Sequence, residues 1–164
     1  MNLLIVDDEY LVVEEVVTVT DWELLGITEI YSATNAVSAV RILNEKKIDI
    51  MICDIEMPQT DGLELSKKAK ENFPDLEIVM LTSHAEFNYV RNALRYGCYD
   101  YLLKPVMEDD IIKVMKNLVT KIERERHQAQ LQEEGIVWNQ LKPVWKEKYW
   151  EEMLRGLRDD PNRE

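Results

Sequence analysis

The stretch Ile48 to Gly62, IDIMICDIEMPQTDG, limits what this chain can fold into more than any other. Its run of β-branched residues, Ile48, Ile50, Ile52 and Ile55, predicts a strand buried on both faces, as in a parallel sheet covered by helices on each side. That strand delivers one acid, Asp54, near its carboxyl end. An unpaired buried carboxylate is costly or is driven to its neutral form, so Asp54 is expected at a solvent-reached rim with a cation nearby. Met57-Pro58 ends regular pairing, and Asp61-Gly62 marks a turn before the amphipathic run that starts at Leu63. Aspartate after a strand is commonly a cap or turn former, so this stretch alone leaves the role of Asp54 open.

Four other apolar runs have the same character. Asn2 to Val6, Thr28 to Ala33, Leu76 to Leu81 and Cys98 to Leu103 predict strands. Between them, Tyr10 to Val19, the run from Ala36 to Leu43 with Asn35 as its cap, Leu63 to Phe73 closed before Pro74, and Phe87 to Tyr96 stopped by Gly97 predict helices. Strands alternating with helices at this spacing imply βαβ units with right-handed crossovers and an α/β, doubly wound parallel sheet. Ligands of such sheets bind outside the carboxyl ends of the strands. The residues at those ends are Asp7 and Asp8, Asp54, Thr82 and Ser83, and Lys104.

Three carboxylates, a hydroxyl and an ammonium on one rim define a chemistry. Clustered carboxylates repel, and either a shared proton or a hard divalent cation with oxygen ligands relieves them. Mg²⁺ suits the second solution, since it would neutralise Asp8 and Asp54 and keep waters that phosphoryl oxygens can displace. Lys104 and the Thr82 hydroxyl can meet further phosphoryl oxygens. An in-line Asp54 carboxylate could then attack an activated phosphate and become an aspartyl phosphate. The plainer alternatives are turn-and-cap carboxylates at Asp7, Asp8 and Asp54, a helix cap at Thr82, and a half-buried strand aromatic at Tyr101.

Charge and cysteine content narrow the partners. Twenty Lys and Arg against thirty-two Asp and Glu give −12, which disfavours unaided binding to nucleic acid or an anionic membrane. The imbalance sits in front: 9 basic against 19 acidic side chains up to Met107, and 11 against 13 beyond it. Cys53 and Cys98 lie in apolar runs without a CxxC neighbour and read as buried thiols of a reducing compartment. No basic leader opens the chain and no apolar run approaches the ~20 residues that span a bilayer, so a cytoplasmic location without membrane contact is expected. His84 and His127 are the only histidines, too far apart in sequence to suggest zinc. No phosphate-cradling glycine loop is present, which disfavours direct nucleotide binding.

The motifs DD at Asp7-Asp8, DIEMPQTDG from Asp54 to Gly62, LTSH from Leu81 to His84 and DYLLKP from Asp100 to Pro105 resemble the receiver domains of bacterial two-component response regulators. The resemblance covers Met1 to about Leu118. It implies a flavodoxin-like receiver of strand order 2-1-3-4-5 over residues 1–120. Asp54 would be the phosphoacceptor. Asp8, Asp54 and the backbone carbonyl of Glu56 would ligate Mg²⁺, with Asp7 assisting through water. Lys104 would contact the phosphate across a bond to Pro105 that is commonly cis, and Thr82 and Tyr101 would form the switch pair. A sensor histidine kinase would be the phosphodonor, and the chain would be a signalling module rather than an enzyme. The run TSHAEFNYVRNALRYGCYDYLLKP further resembles receivers joined to AraC-type helix-turn-helix modules. Nothing after Leu103 offers a helix-turn-helix pair, so DNA contact is expected only through an output module outside this chain.

Residues 121–164 are expected to form a helical linker, a coiled-coil dimerisation segment. Ile111, Met115, Leu118 and Ile122, then Glu125 and Ala129, continue a three- and four-residue spacing that outruns the receiver, so a homodimer is the natural cover. Gly135 weakens this run and Pro143 is expected to kink or restart it. A second amphipathic piece runs from Val144 to Leu157. Glu56 and His84, each two residues beyond a site residue, either tune the lifetime of an acyl phosphate or are exposed loop side chains. Two competing functions remain: a Mg²⁺-dependent phosphohydrolase with Glu56 as general acid, and a receiver-like interaction module that is never phosphorylated.

Overall fold

The computed structural model describes residues 1–84, 91 and 94–158, with side chains as far as residue 137. Five parallel strands, β1 (Asn2–Val6), β2 (Glu29–Ala33), β3 (Ile50–Asp54), β4 (Glu77–Thr82) and β5 (Asp100–Leu103), form one sheet in the order β2-β1-β3-β4-β5. The strand order reverses between β1 and β3, which places a crevice outside their carboxyl ends. Register follows from the apolar pattern: Val6 pairs with Cys53, Cys53 with Met80, and Thr82 with Leu103. Asp54 lies opposite Leu81. Four strand ends therefore finish at one level, and the side chains just beyond them share an edge.

Helices α1 (Tyr10–Thr18), α2 (Ala36–Glu45) and α3 (Gly62–Asn72) connect the strands, and a C-terminal helix runs over Glu108–Arg158. The Asn35 side chain caps α2 by accepting the Ser38 N–H at 2.8 Å, and Asp61 caps α3 by accepting the Leu63 N–H at 2.9 Å. Gly97 takes a φ of 80° and donates its N–H to the Leu94 carbonyl, the geometry of a helix C-terminus. The helix expected over Phe87 to Tyr96 falls largely outside the described residues. Strand β5 begins at Asp100 rather than Cys98, although the Tyr99 N–H already donates to the Ile78 carbonyl at 2.7 Å. Pairing thus begins one residue before the regular ladder.

All five residues of β3 and all six of β4 are buried, as expected for strands covered on both faces. One continuous cluster on the sheet joins Leu4, Val6, Met51, Cys53, Ile78 and Met80 to Ala39 and Leu43 of α2 and to Leu63, Leu65 and Ala69 of α3. Each fully buried Leu, Ile or Met contributes about 1.5–3 kcal/mol relative to exposure, so these runs dominate the stability of the sheet. Trp22 is buried before the turn at Glu23–Leu25, and its indole N–H is shared between the Val16 and Val17 carbonyls. Cys53 and Cys98 are buried and unbridged, and burial pushes the Cys98 thiol up to about 11.

The chain divides into two compact units, Met1–Val119 and Thr120–Glu164. In the first, Ile111, Met115 and Leu118 of the C-terminal helix are fully buried. In the second, Leu131, Ile136 and Val137 are more than half exposed, while Lys121 and Glu125 form an i,i+4 ion pair at 3.3 Å. The helix does not restart at Pro143, because Glu108–Arg158 is one uninterrupted element through both Gly135 and Pro143. Proline removes a single hydrogen bond, and in a helix this long the turns on either side keep theirs. The side chains of the amphipathic piece from Val144 to Leu157 lie outside the described residues.

Candidate functional site

The carboxyl edge of the sheet gathers Asp7 and Asp8 from the end of β1, Asp54 from β3, Thr82 from β4 and Lys104 from just beyond β5. One carboxylate oxygen each from Asp7, Asp8 and Asp54 lies within 4.8 Å of the other two. Lys104 reaches into the cluster: its Nζ is 2.7 Å from Asp7 Oδ2 and 3.1 Å from Asp54 Oδ1. The Lys104-Pro105 peptide bond is cis. Asp8 is exposed and borders a cavity of about 560 Å³ between the start of α2 and the loop from Met57 to Thr60. Of the three acids, then, it is the one that faces open space.

Asp54 does not sit at a solvent-reached rim. Its relative exposure is 2 %, and that of Asp7 is 0 %. Such depth is possible because Lys104 replaces part of the lost hydration, and the Glu56 N–H adds a hydrogen bond to the Asp54 carboxylate. The compensation is incomplete. Burial, with the Asp7 charge adding to it, raises the Asp54 pKa to about 6 against the opposing pull of Lys104 and the Glu56 N–H. Burial also works against the charge on Lys104, but its hydrogen bond to Asp7 and the charges on Asp54 and Asp7 outweigh it and hold that ammonium above the ordinary lysine value. Lys104 is thus charged at every physiological pH, whereas Asp54 changes state just below neutrality.

The oxygen-only donor set fits a small hard cation such as Mg²⁺. Three clustered carboxylates share one ammonium, so negative charge remains in excess, and Asp7 Oδ2 and Asp54 Oδ1 are buried with only the Lys104 ion pair to satisfy them among the described residues. Asp7 contacts Lys104 directly, a contact that the spacing of the two residues in the chain could not reveal. Glu56 stands in the loop after β3, with its side-chain carboxylate 3.4 Å from His84 Nε2.

Thr82 is 1 % exposed, and its hydroxyl donates to the His84 carbonyl at 3.0 Å while accepting the His84 N–H at 3.1 Å. It is occupied with its own loop rather than with the acids. Tyr101 is half-buried against the core, on β5 at the level of Met80. Gly62 is a site residue that the motif alone does not explain. A Cβ there would stand 1.8 Å from the Asp54 carbonyl oxygen and 2.8 Å from its carbon, so the start of α3 lies against the backbone of the central acid. The Gly62 N–H also donates to the Ile55 carbonyl at 3.0 Å. The dipeptide Asp61-Gly62 signalled a turn; the close approach arises only when α3 folds back over β3.

A family model described as the response regulator receiver domain matches residues 3–116. The chain belongs to that family. The receiver resembles an uncharacterized transcriptional regulatory protein, YesN, of Bacillus subtilis, at 34% identity over 124 residues, 76% of this chain and 34% of that protein. It is 32% identical to the response regulator SaeR of Staphylococcus aureus over 127 residues, 77% of this chain and 54% of SaeR. The chain therefore spans less than two thirds of the length of these curated relatives. Among solved structures, the receiver domain of AraT, a response regulator from Geobacillus stearothermophilus, superimposes with a TM-score of 0.71 at 30% identity, covering 76% of this chain and 97% of that one. A two-component transcriptional regulator AraC from Clostridium phytofermentans shares the fold at 23% identity and a TM-score of 0.71, over 77% of this chain and 98% of that one. The receiver is thus a signalling domain of two-component response regulators, a family that includes transcriptional regulators. Among its described residues, no helix is long and apolar enough to cross a membrane.

Proposed function

We propose that Asp54 accepts a phosphoryl group, in a Mg²⁺-dependent step, from the phosphohistidine of a sensor histidine kinase. The observation that carries this reading is the Lys104 ammonium bridging Asp7 and Asp54 at the edge where Asp8 also lies. Asp7, Asp8, Asp54 and the Glu56 carbonyl would hold the ion. When bound, it supplies charge that lets an anionic nucleophile approach anionic phosphoryl oxygens. The Asp54 carboxylate attacks phosphorus, the P–N bond of the donor breaks, and its electron pair leaves with the imidazole nitrogen, which takes a proton from solvent. Lys104 then turns from Asp54 to a phosphoryl oxygen. With a pKa of about 6, Asp54 is mostly ionised at neutral pH and ready to attack.

The same step drives the switch. Thr82 exchanges His84 for the phosphoryl group and Tyr101 turns inward, biasing a two-state domain whose output is read elsewhere. In the second unit, the exposed Leu131, Ile136 and Val137 support a coiled-coil homodimer as the element that receives this bias. The net charge of −12 supports assigning DNA contact to an output module rather than to these residues, and two buried unbridged cysteines support a cytoplasmic setting.

Incubation with acetyl phosphate and Mg²⁺ followed by intact mass tests the reading. The unaltered protein should gain one phosphoryl group, while Asp54→Ala, or chelation of the metal, should abolish the gain. No gain, or an equal gain in Asp54→Ala, would return the chain to a never-phosphorylated interaction module. Steady turnover of small phosphate esters would instead favour the hydrolase. Sedimentation showing only monomer, with and without a phosphoryl mimic, would remove the dimer.

A further inference from the structure

We infer that Glu56 and His84 form a clasp across the mouth of the site that positions Thr82 in its resting orientation and restrains the response to phosphorylation. The inference rests on the phosphoacceptor reading and concerns the regulation of that same site. Glu56 belongs to the loop after β3 and His84 to the loop after β4, and their side chains meet with Nε2 3.4 Å from Oε1. Two other contacts run parallel to this one. The Glu56 N–H bonds the Asp54 carboxylate, and the His84 main chain both donates to and accepts from the Thr82 hydroxyl, at 3.1 and 3.0 Å.

One end of the clasp is therefore tied to the acceptor and the other to the hydroxyl that must move toward the phosphoryl group. Thr82 cannot turn inward while its only hydroxyl proton is committed to the His84 carbonyl, because one O–H makes one full hydrogen bond at a time. Holding the His84 backbone in place through its side chain preserves that commitment. Both side chains are about half exposed, so the restraint is modest, in the range of an exposed ion pair. The side-chain contact itself involves neither the Asp54 carboxylate nor Lys104, and so acts on the transition rather than on the chemistry. Glu56 and His84 are positioning residues in this scheme.

The test is a double-mutant cycle on the full chain with Glu56→Ala, His84→Ala, the double variant and the exchanged pair Glu56→His with His84→Glu. Beryllofluoride affinity in saturating Mg²⁺ reads the transition, and Mg²⁺ affinity alone reads the resting site. Each single variant should bind beryllofluoride about two- to fivefold more tightly, the double variant no more tightly than either single, and the exchanged pair should return toward the unaltered protein. Mg²⁺ affinity of His84→Ala should stay within about twofold, which a general loosening of the site would not allow. Unchanged or additive single effects, or an exchanged pair behaving like the double variant, would overturn the clasp. Absence of any Asp54-dependent beryllofluoride binding in the unaltered protein would overturn the phosphoacceptor reading and the clasp together.

Discussion

The edge of the sheet and the second unit of the chain put their unusual side chains to opposite uses. At the edge, charged groups that prefer water are withdrawn from it: Asp7 and Asp54 are buried, and Lys104 is held between them. Along the far helix, apolar groups that avoid water stand in it: Leu131, Ile136 and Val137 are exposed. Both arrangements cost free energy in the isolated chain. On the proposed function, an ion and a phosphoryl group would offset the first and a second copy of the chain the second. Function is found where the fold tolerates a local penalty.

The largest effect should come from removing the cation that makes the acidic edge tolerable. Lys104→Met leaves two buried carboxylates unpaired and should cost about 3–5 kcal/mol in urea unfolding at pH 8, less at pH 5 where Asp54 takes up a proton. Equal losses at both pH values would separate the charge argument from the packing of the lysine stem. Gly62→Ala is next. Its Cβ has no room beside the Asp54 carbonyl, and the forced shift of α3 should lower stability by about 3 kcal/mol. An alanine tolerated without loss would show that α3 can retreat from β3.

The third effect has the opposite sign. A raised pKa favours the folded state below the ordinary carboxylate range, and that advantage is lost as pH rises through about 6. At pH 8 the ionised Asp54 is therefore a burden, and Asp54→Asn should stabilise the metal-free protein by about 2 kcal/mol in thermal or urea unfolding. Destabilisation would mean that Lys104 overcompensates the buried charge. Fourth, Mg²⁺ must displace the proton on Asp54 below pH 6, so its affinity should fall about tenfold between pH 7 and pH 5 in a calorimetric titration. The smallest effect belongs to the helix. Leu131→Ser with Ile136→Ser should leave the stability of Met1–Val119 within about 0.5 kcal/mol while shifting sedimentation toward monomer.

The comparison also explains what could be foreseen from residues alone. The apolar runs of β1, β3 and β4, the cap at Asn35 and the turn at Asp61-Gly62 are local signals, and local signals survive folding. The convergence of Asp7, Asp8, Asp54 and Lys104 followed from one topological rule about strand ends. Two things required tertiary contact and were not legible. The depth of Asp54 depends on a lysine fifty positions away in the chain, and the need for glycine at position 62 depends on how α3 leans on β3. At Pro143 only the expected restart fails, because the helix runs through it without interruption.

The buried indole of Trp22, with its N–H shared by two carbonyls of the last turn of α1, gives the molecule a reporter that nature has already installed. The other three tryptophans of the chain, at 138, 145 and 150, all belong to the second unit. Replacing those three with phenylalanine would leave a single emitter whose colour follows the melting of the signalling half alone.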